Sequence, residues 1–196
     1  MSDQIARMPQ MDALRALHSA RRADDVVITS MGAARDWMVL GAGPLDLPLV
    51  PSSMGTAPAI GLGIALAQPH RRVIVVNGDG AMLMNLGSLV TITAAAPANL
   101  ILILADNGVY EVTGAQPLPA RPDFAALARA SGIANVHHFV NAAEWSGAIR
   151  RVLGERGPVV VVLDVEPVAA RGAPKSPGLA SARATELRTA LLSRER

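Results

Sequence analysis

The chain of 196 residues is long enough for one sizeable domain, and it contains no cysteine, which excludes disulfides, thiolate catalysis and cysteine-ligated clusters. Its net charge is only +2, the basic residues are dispersed and 3% of residues are aromatic, so a nucleic-acid surface is not indicated. The first residues lack the cationic start and apolar core of a signal peptide, and we expect a cytoplasmic protein. The hydrophobic fraction of 51% is high for a soluble domain and suggests that another chain covers part of the surface.

Short β-branched runs alternate with helical segments along the chain, which predicts a doubly wound α/β fold with a mainly parallel sheet flanked by helices. The expected helices are 11–22, 33–40, 52–68, 124–130, 142–153 and 180–192. The expected strands are 26–28, 73–76, 100–104, 134–140 and 158–165. Residues 45–51 form a proline-rich connection. We predict one domain over residues 1–168, followed by a linker and C-terminal helix over 169–196.

Two of these strands, 73–76 and 100–104, each end in a turn rich in Gly, Asp and Asn. Because the carboxyl ends of parallel strands meet at one edge of the sheet, where ligands bind in such folds, we expect Asp79 and Asn107 to converge on one cation. The glycines flanking Asp79 would permit unusual φ values and let a phosphate approach the backbone. A hard cation such as magnesium needs few protein ligands besides phosphate oxygens, and the backbone carbonyl of Val109 would complete the set.

The sequence Gly78-Asp79-Gly80, a helix, an apolar strand and an Asn turn resembles the thiamine diphosphate-binding motif of thiamine-dependent enzymes, in their diphosphate-binding domain. Residues 78–116 are most similar to the phosphonopyruvate and sulfopyruvate decarboxylase group, in which the Asn-Gly turn is followed by Thr-Gly-x-Gln, here residues 113–116. The likeness extends over roughly residues 8 to 168, and it implies thiamine diphosphate and Mg²⁺ as cofactors.

The resemblance implies roles for individual residues. Asp79, Asn107 and the carbonyl of Val109 would bind magnesium, with Asp106 as an alternative ligand if the alignment shifts by one. Met54 would prop the cofactor in its V shape, although on pattern alone it would be a core methionine. The other positions implied as cofactor contacts are Ser30, Gly32, Ser52 (through its carbonyl), Gly78, Gly80, Ala81 and Tyr110.

In this family an activating glutamate lies on a separate pyrimidine-binding domain, for which this chain has no room. The resemblance therefore implies the diphosphate- and magnesium-binding subunit of a heteromeric decarboxylase, similar to sulfopyruvate decarboxylase beta subunits, with no catalytic residue of its own. Its partner would be a pyrimidine-binding, alpha-type subunit. The implied reaction converts a 3-sulfo- or 3-phosphonopyruvate-like substrate into an aldehyde and CO2.

Several alternatives stay open at this point. The same turn pattern occurs in beta subunits of thiamine-dependent 2-oxo acid oxidoreductases, and a non-catalytic α/β protein that binds thiamine or a nucleotide is also compatible. The candidates for holding an anionic substrate tail are Arg121, Arg171 and Lys175. The pattern assigns no role to His137 or His138.

Overall fold

The computed structural model describes residues 7–169 and 172–193. The helices are α1 (Gln10–Ala20), α2 (Met31–Leu40), α3 (Ala57–Ala67), α4 (Asp79–Leu83), α5 (Gly87–Ala95), α6 (Phe124–Ala130), α7 (Ala142–Leu153) and α8 (Ala180–Leu192). The strands are β1 (Val26–Ser30), β2 (Asp46–Leu49), β3 (Val73–Gly78), β4 (Leu100–Asp106), β5 (Val109–Tyr110), β6 (Gln116–Pro117), β7 (Asn135–Phe139) and β8 (Val159–Asp164). A short 3-10 turn spans Glu111–Thr113.

Six of the strands form one parallel sheet in the order β2-β1-β3-β4-β8-β7. The chain moves outward from β1 to β2 and then returns to place β3 on the other side of β1. The strand order therefore reverses between β1 and β3, which opens a crevice at their carboxyl ends. The expected doubly wound, parallel α/β fold is confirmed.

Helices cover both faces of the sheet, which explains why its central strands are apolar on both sides. On one face α1, α2 and α7 pack on the sheet through side chains such as Leu17, Trp37 and Trp145. On the other face α3, α5, α6 and α8 bury residues such as Leu62 and Leu187. The helices predicted at 124–130, 142–153 and 180–192 have the expected bounds.

Residues 45–51, predicted as a connection, contain strand β2. This strand lies at the edge of the sheet and pairs only with β1, so Pro48 can be accommodated although it has no N–H to donate. The helix predicted at 52–68 begins only at Ala57. Met54 and Gly55 have φ values of 44° and 77°, which a right-handed helix does not permit.

The C-terminal helix α8 packs against the edge of the sheet. Arg183 on this helix donates hydrogen bonds to the carbonyls of Pro48 and Val50, the latter at 3.2 Å from Nη2. Leu187 is buried in the same core as the α3 and α5 side chains. Within the two described ranges, no helix has the length and apolar character needed to cross a membrane.

Trp145 and Trp37 are both fully buried. The indole N–H of Trp145 donates to the Ala13 carbonyl at 3.0 Å, whereas that of Trp37 has no partner among the described residues. Trp-to-Phe substitution removes a similar volume at each position and removes a hydrogen bond only at Trp145. We expect Trp145→Phe to lower the free energy of unfolding by about 1 kcal/mol more than Trp37→Phe, as measured by urea denaturation. Equal losses, or a larger loss at Trp37, would contradict this account.

Candidate functional site

A cavity with an empty volume of about 900 Å³, open to solvent, lies at the carboxyl ends of β1, β3 and β4. Its walls come from six parts of the chain: Gln10; residues 30–33; residues 51–54; residues 78–81 with Met84; Ala105, Asn107 and residues 109–113; and Ala173. Every position that the sequence implies as a cofactor contact is among them. The fold therefore brings these residues together, while their roles in binding remain predictions.

Asp79 is the first residue of α4 and is 1% exposed. Its Oδ1 accepts a hydrogen bond from the Gly80 amide at 2.7 Å, and its Oδ2 accepts one from the Gly108 amide at 2.6 Å. The second bond ties the end of β3 to the loop that follows β4. The two polar turns therefore meet at one edge of the sheet.

Burial raises the pKa of Asp79 from 3.8 to about 7, because it disfavours the charged form. The amides of Gly108 and Gly80 oppose this shift, and the neighbouring Asp106 adds to it. A cation beside the carboxylate would offset the cost of its charge. Within the described ranges, no three His, Asp or Glu side chains form a metal cluster, so a metal here would depend on amide, backbone or ligand oxygens as well.

Asn107 is 8% exposed, and its Oδ1 accepts a hydrogen bond from the Val109 amide at 2.9 Å. The loop continues into a small antiparallel hairpin of β5 and β6. Thr113 and Gln116 close this hairpin through two hydrogen bonds. The side-chain Nε2 of Gln116 donates to the Thr113 carbonyl at 2.9 Å, and the Thr113 hydroxyl donates to Gln116 Oε1 at 3.0 Å. The Thr-Gly-x-Gln run thus holds the loop that presents Asn107.

The expectation of unusual φ values beside Asp79 is wrong. Gly78 has φ −83°, and Gly80 is not among the residues with positive φ. Close packing explains Gly80 instead, but not Gly78. A Cβ at Gly80 would lie 2.6 Å from Cδ1 of Tyr110, whereas a Cβ at Gly78 would meet no atom within 4 Å, on the wall of the cavity.

Two non-glycine residues on the cavity wall adopt left-handed backbone conformations. These are Met31 and Met54, with φ values of 51° and 44°. Met54 is also 67% exposed, which is unusual for a large apolar side chain. Its exposure shows that Met54 is not a core methionine. Backbone strain of this kind persists where the surrounding structure and function require it.

The N-terminus of α2 lies on the cavity wall, where residues 31–33 are among the lining residues. The Ser30 hydroxyl does not cap this helix but donates to Oδ1 of the buried Asn77 at 3.0 Å. Free first-turn amides are a common binding feature for anions. The buried Ser53 hydroxyl, also on the wall, has no hydrogen-bond partner in the described chain. These donors are suited to a phosphorylated ligand.

The candidates for an anionic substrate tail do not line the cavity within the described part of the chain. Arg121 donates to Asp106 at 3.3 Å and lies over Gly108, where a Cβ would be 3.1 Å from its Nη2. Lys175 is exposed, and Arg171 lies outside the described residues. Arg121 therefore packs on the loop that follows β4.

His137 and His138 also lie away from the cavity. They contact Glu155 and Asp164, at 2.7 Å and 2.8 Å.

The sequence did not indicate that Gln10, Glu111 and Ala173 line the cavity. Gln10 belongs to an ordinary amphipathic helix, and Ala173 belongs to a linker-like segment. Glu111 is the acid nearest the motif, and its burial at 8% exposure follows from an ion pair with Arg35. No local pattern in the sequence indicates this pair.

The profile of the family described as "Thiamine pyrophosphate enzyme, C-terminal TPP binding domain" matches residues 34–163. The phosphonopyruvate decarboxylase of Streptomyces viridochromogenes is 38% identical over 164 residues, which are 83% of this chain and 41% of that protein. The sulfopyruvate decarboxylase subunit beta of Methanothermobacter thermautotrophicus is 40% identical over 146 residues, which are 74% of this chain and 75% of that subunit.

Among solved structures, the chain superimposes on a Mycobacterium smegmatis protein described as thiamin diphosphate-dependent, with a TM-score of 0.72. The sequence identity is 19%, and the match covers 83% of this chain and 32% of the other. This similarity supports the fold. The chain spans about two fifths of the phosphonopyruvate decarboxylase, so more than half of that relative has no counterpart here.

Gly78 and Gly80 offer a matched test of the site's geometry. Gly80→Ala should lower the melting temperature by several degrees, because the added methyl group displaces the Tyr110 ring. Gly78→Ala should leave the melting temperature nearly unchanged, because its methyl group enters the cavity. Differential scanning calorimetry of the two variants makes the comparison, and a larger loss for Gly78→Ala would refute the packing described.

Proposed function

The chain belongs to the thiamine pyrophosphate enzymes, through their C-terminal TPP-binding domain, and we propose that it is the diphosphate- and magnesium-binding subunit of a decarboxylase. The substrate is a 2-oxo acid with an anionic group on carbon 3, of the 3-sulfopyruvate or 3-phosphonopyruvate type. The names of the relatives at 38% and 40% identity support this activity over that of an oxidoreductase. We place the enzyme in the cytoplasm, as the sequence analysis expects.

The observation that carries the proposal is the hydrogen bond that joins Asp79 to the Asn107–Val109 loop on the wall of one cavity. Asp79 offers a buried carboxylate, Asn107 an amide oxygen and Val109 a backbone carbonyl, which suits a hard cation shared with a diphosphate. The open space at Gly78 and the first-turn amides of α2 fit the diphosphate itself. The residues present therefore fit thiamine diphosphate with magnesium.

In this proposal thiamine diphosphate, when bound, supplies the electron sink for loss of CO2. The chain's own residues bind and orient it. Asp79, Asn107 and the Val109 carbonyl would hold the metal, and Gly78, Gly80 and Ala81 would line the diphosphate. Ser30, the last residue of β1, and Gly32, in the first turn of α2, would contact it. Met54, held in its left-handed conformation, would be the bulky residue that supports the bound cofactor, and the Ser52 carbonyl would accept a hydrogen bond from its aminopyrimidine.

A second subunit completes the site. The match to a protein named as a beta subunit supports a heteromer in which the activating glutamate lies on a pyrimidine-binding chain. Exposed apolar side chains also support one, because Leu66, Met84 and Val90 are each about half exposed or more, at 56%, 48% and 60%, and Met84 lies with Met54 on the cavity wall. We propose that a pyrimidine-binding subunit covers this apolar surface and brings the glutamate to the cofactor.

Isothermal titration calorimetry with thiamine diphosphate, with and without Mg²⁺, tests the cofactor site. We expect binding only with the metal, and we expect Asp79→Asn to weaken it by at least about 100-fold. The metal-free melting temperature should change little at pH 8, above the Asp79 pKa of about 7. There the substitution removes a costly buried charge and also one hydrogen bond, and the two effects offset each other.

Three further variants belong to this experiment. Asp106→Asn should retain binding if Asn107 is the ligand, while Asn107→Ala should weaken it. Gly78→Ala should fold normally and still lose affinity for the diphosphate. If the wild-type chain bound thiamine diphosphate equally well in EDTA, or if Asp79→Asn bound it normally, the metal site proposed here would be wrong.

The purified chain alone should not decarboxylate 3-sulfopyruvate, 3-phosphonopyruvate or pyruvate, because the glutamate that activates the cofactor lies on the partner. Activity should appear when the chain is co-expressed with a pyrimidine-binding subunit. A coupled aldehyde dehydrogenase assay measures the product. Turnover by the isolated chain at rates of about 1 s⁻¹ or more would refute the division of the site between two subunits.

A further inference from the structure

Glu111 brings a second carboxylate to the cavity wall, at the start of the 3-10 turn that follows the proposed metal-binding residues Asn107 and Val109. Its side chain is 8% exposed, and its Oε1 accepts a hydrogen bond from Nη1 of Arg35 at 2.6 Å. Asp79 and Glu111 are the acidic side chains on the wall within the described residues. A ligand with several negative charges would therefore meet acidic groups at two places.

The position of Glu111 depends on close packing against the first turn of α2. A Cβ at Gly32 would lie 2.2 Å from Glu111 Oε2, so any larger residue would push the carboxylate away. Arg35 lies one turn further along the same helix. The glutamate is thus held between Gly32 and Arg35, and its charge is fixed at one point of the wall.

Arg35 also reaches the C-terminal segment. Its Nη2 donates to the Gly172 carbonyl at 2.6 Å, and the next residue, Ala173, lines the cavity. The guanidinium therefore neutralises one wall residue and holds another in place. A buried carboxylate left without such a partner would be costly, and it would repel anions nearby.

We propose that Arg35 is a positioning residue. It neutralises the charge of Glu111 and so allows substrates with an anionic tail to bind in the cavity. This inference rests on the proposed function, in which the substrate carries at least two negative charges, one of them or more on its tail. Without Arg35, Glu111 would repel the charged tail, and the effect on a substrate without that tail would be much smaller. Arg35 thus contributes to substrate selection without lining the cavity.

The test uses the assembled enzyme, this chain with its partner subunit, at pH 8. Steady-state kinetics compare 3-sulfopyruvate and 3-phosphonopyruvate with pyruvate, which lacks the tail. Arg35→Met should raise KM for both tailed substrates at least about tenfold, while KM for pyruvate changes less than about threefold. The double variant Arg35→Met/Glu111→Gln should return KM for the tailed substrates to within about threefold of wild type.

Two further variants distinguish the effect of the Arg35 charge from a structural effect. Arg35→Lys keeps the positive charge but cannot make both of the arginine's contacts, and it should retain most of the preference for tailed substrates. Arg15→Met is the matched control, because Arg15 pairs with Asp12 on the exposed side of α1, away from the cavity. Its kinetics should match wild type.

If Arg35→Met changed KM for pyruvate as much as for the tailed substrates, or if the double variant gave no recovery, Arg35 would have only a structural role and the inference would fail. The proposed function would survive that outcome, provided that the wild-type enzyme decarboxylates the tailed substrates. A wild-type enzyme that binds thiamine diphosphate but turns over none of the three substrates would overturn both.

Discussion

The hydrogen bond from the Gly108 amide to Asp79 Oδ2 is the contact on which the rest of the site depends. It joins the end of β3 to the loop after β4, and the parallel register makes it possible, because Gly78 lies opposite Ala105. Both polar turns leave the sheet at the same level, next to the crevice where the strand order reverses. One carboxylate thus fixes the geometry of the loop that presents Asn107.

Two features of this arrangement are energetically unfavourable for the ligand-free chain. The raised pKa of Asp79 reflects a buried charge that backbone amides compensate only in part. Met31 and Met54 are held in backbone conformations that L side chains rarely adopt. Each feature lowers the stability of the ligand-free fold, and a bound cation and diphosphate would compensate for the first of them. A loss of folding stability at a binding site is typical where function requires a preformed geometry.

The sequence predicted the parts of the structure that follow from local patterns. Apolar runs ending in polar turns located Asp79 and Asn107 correctly at one edge of the sheet, and helical spacing gave α7 its bounds. Strand β2 was missed because an edge strand can contain proline, which removes the usual strand signal. The Arg35–Glu111 pair was missed because the two residues are 76 positions apart and meet only through packing on Gly32. Long-range packing of this kind has no local signature.

The distribution of charge links the cofactor cavity to the surface beside it. Residues 47–70 and 80–105 contain no Asp, Glu, Lys or Arg. Burial in the sheet explains this for the strand residues among them, but α3 and α5 lie at the surface and expose Leu66 and Val90. An outward helix face without charges is expected only where another protein covers it. The same segments contain Met54 and the residues after Asp79. The cofactor-binding residues of this chain and the surface proposed to bind the second subunit therefore lie on the same segments.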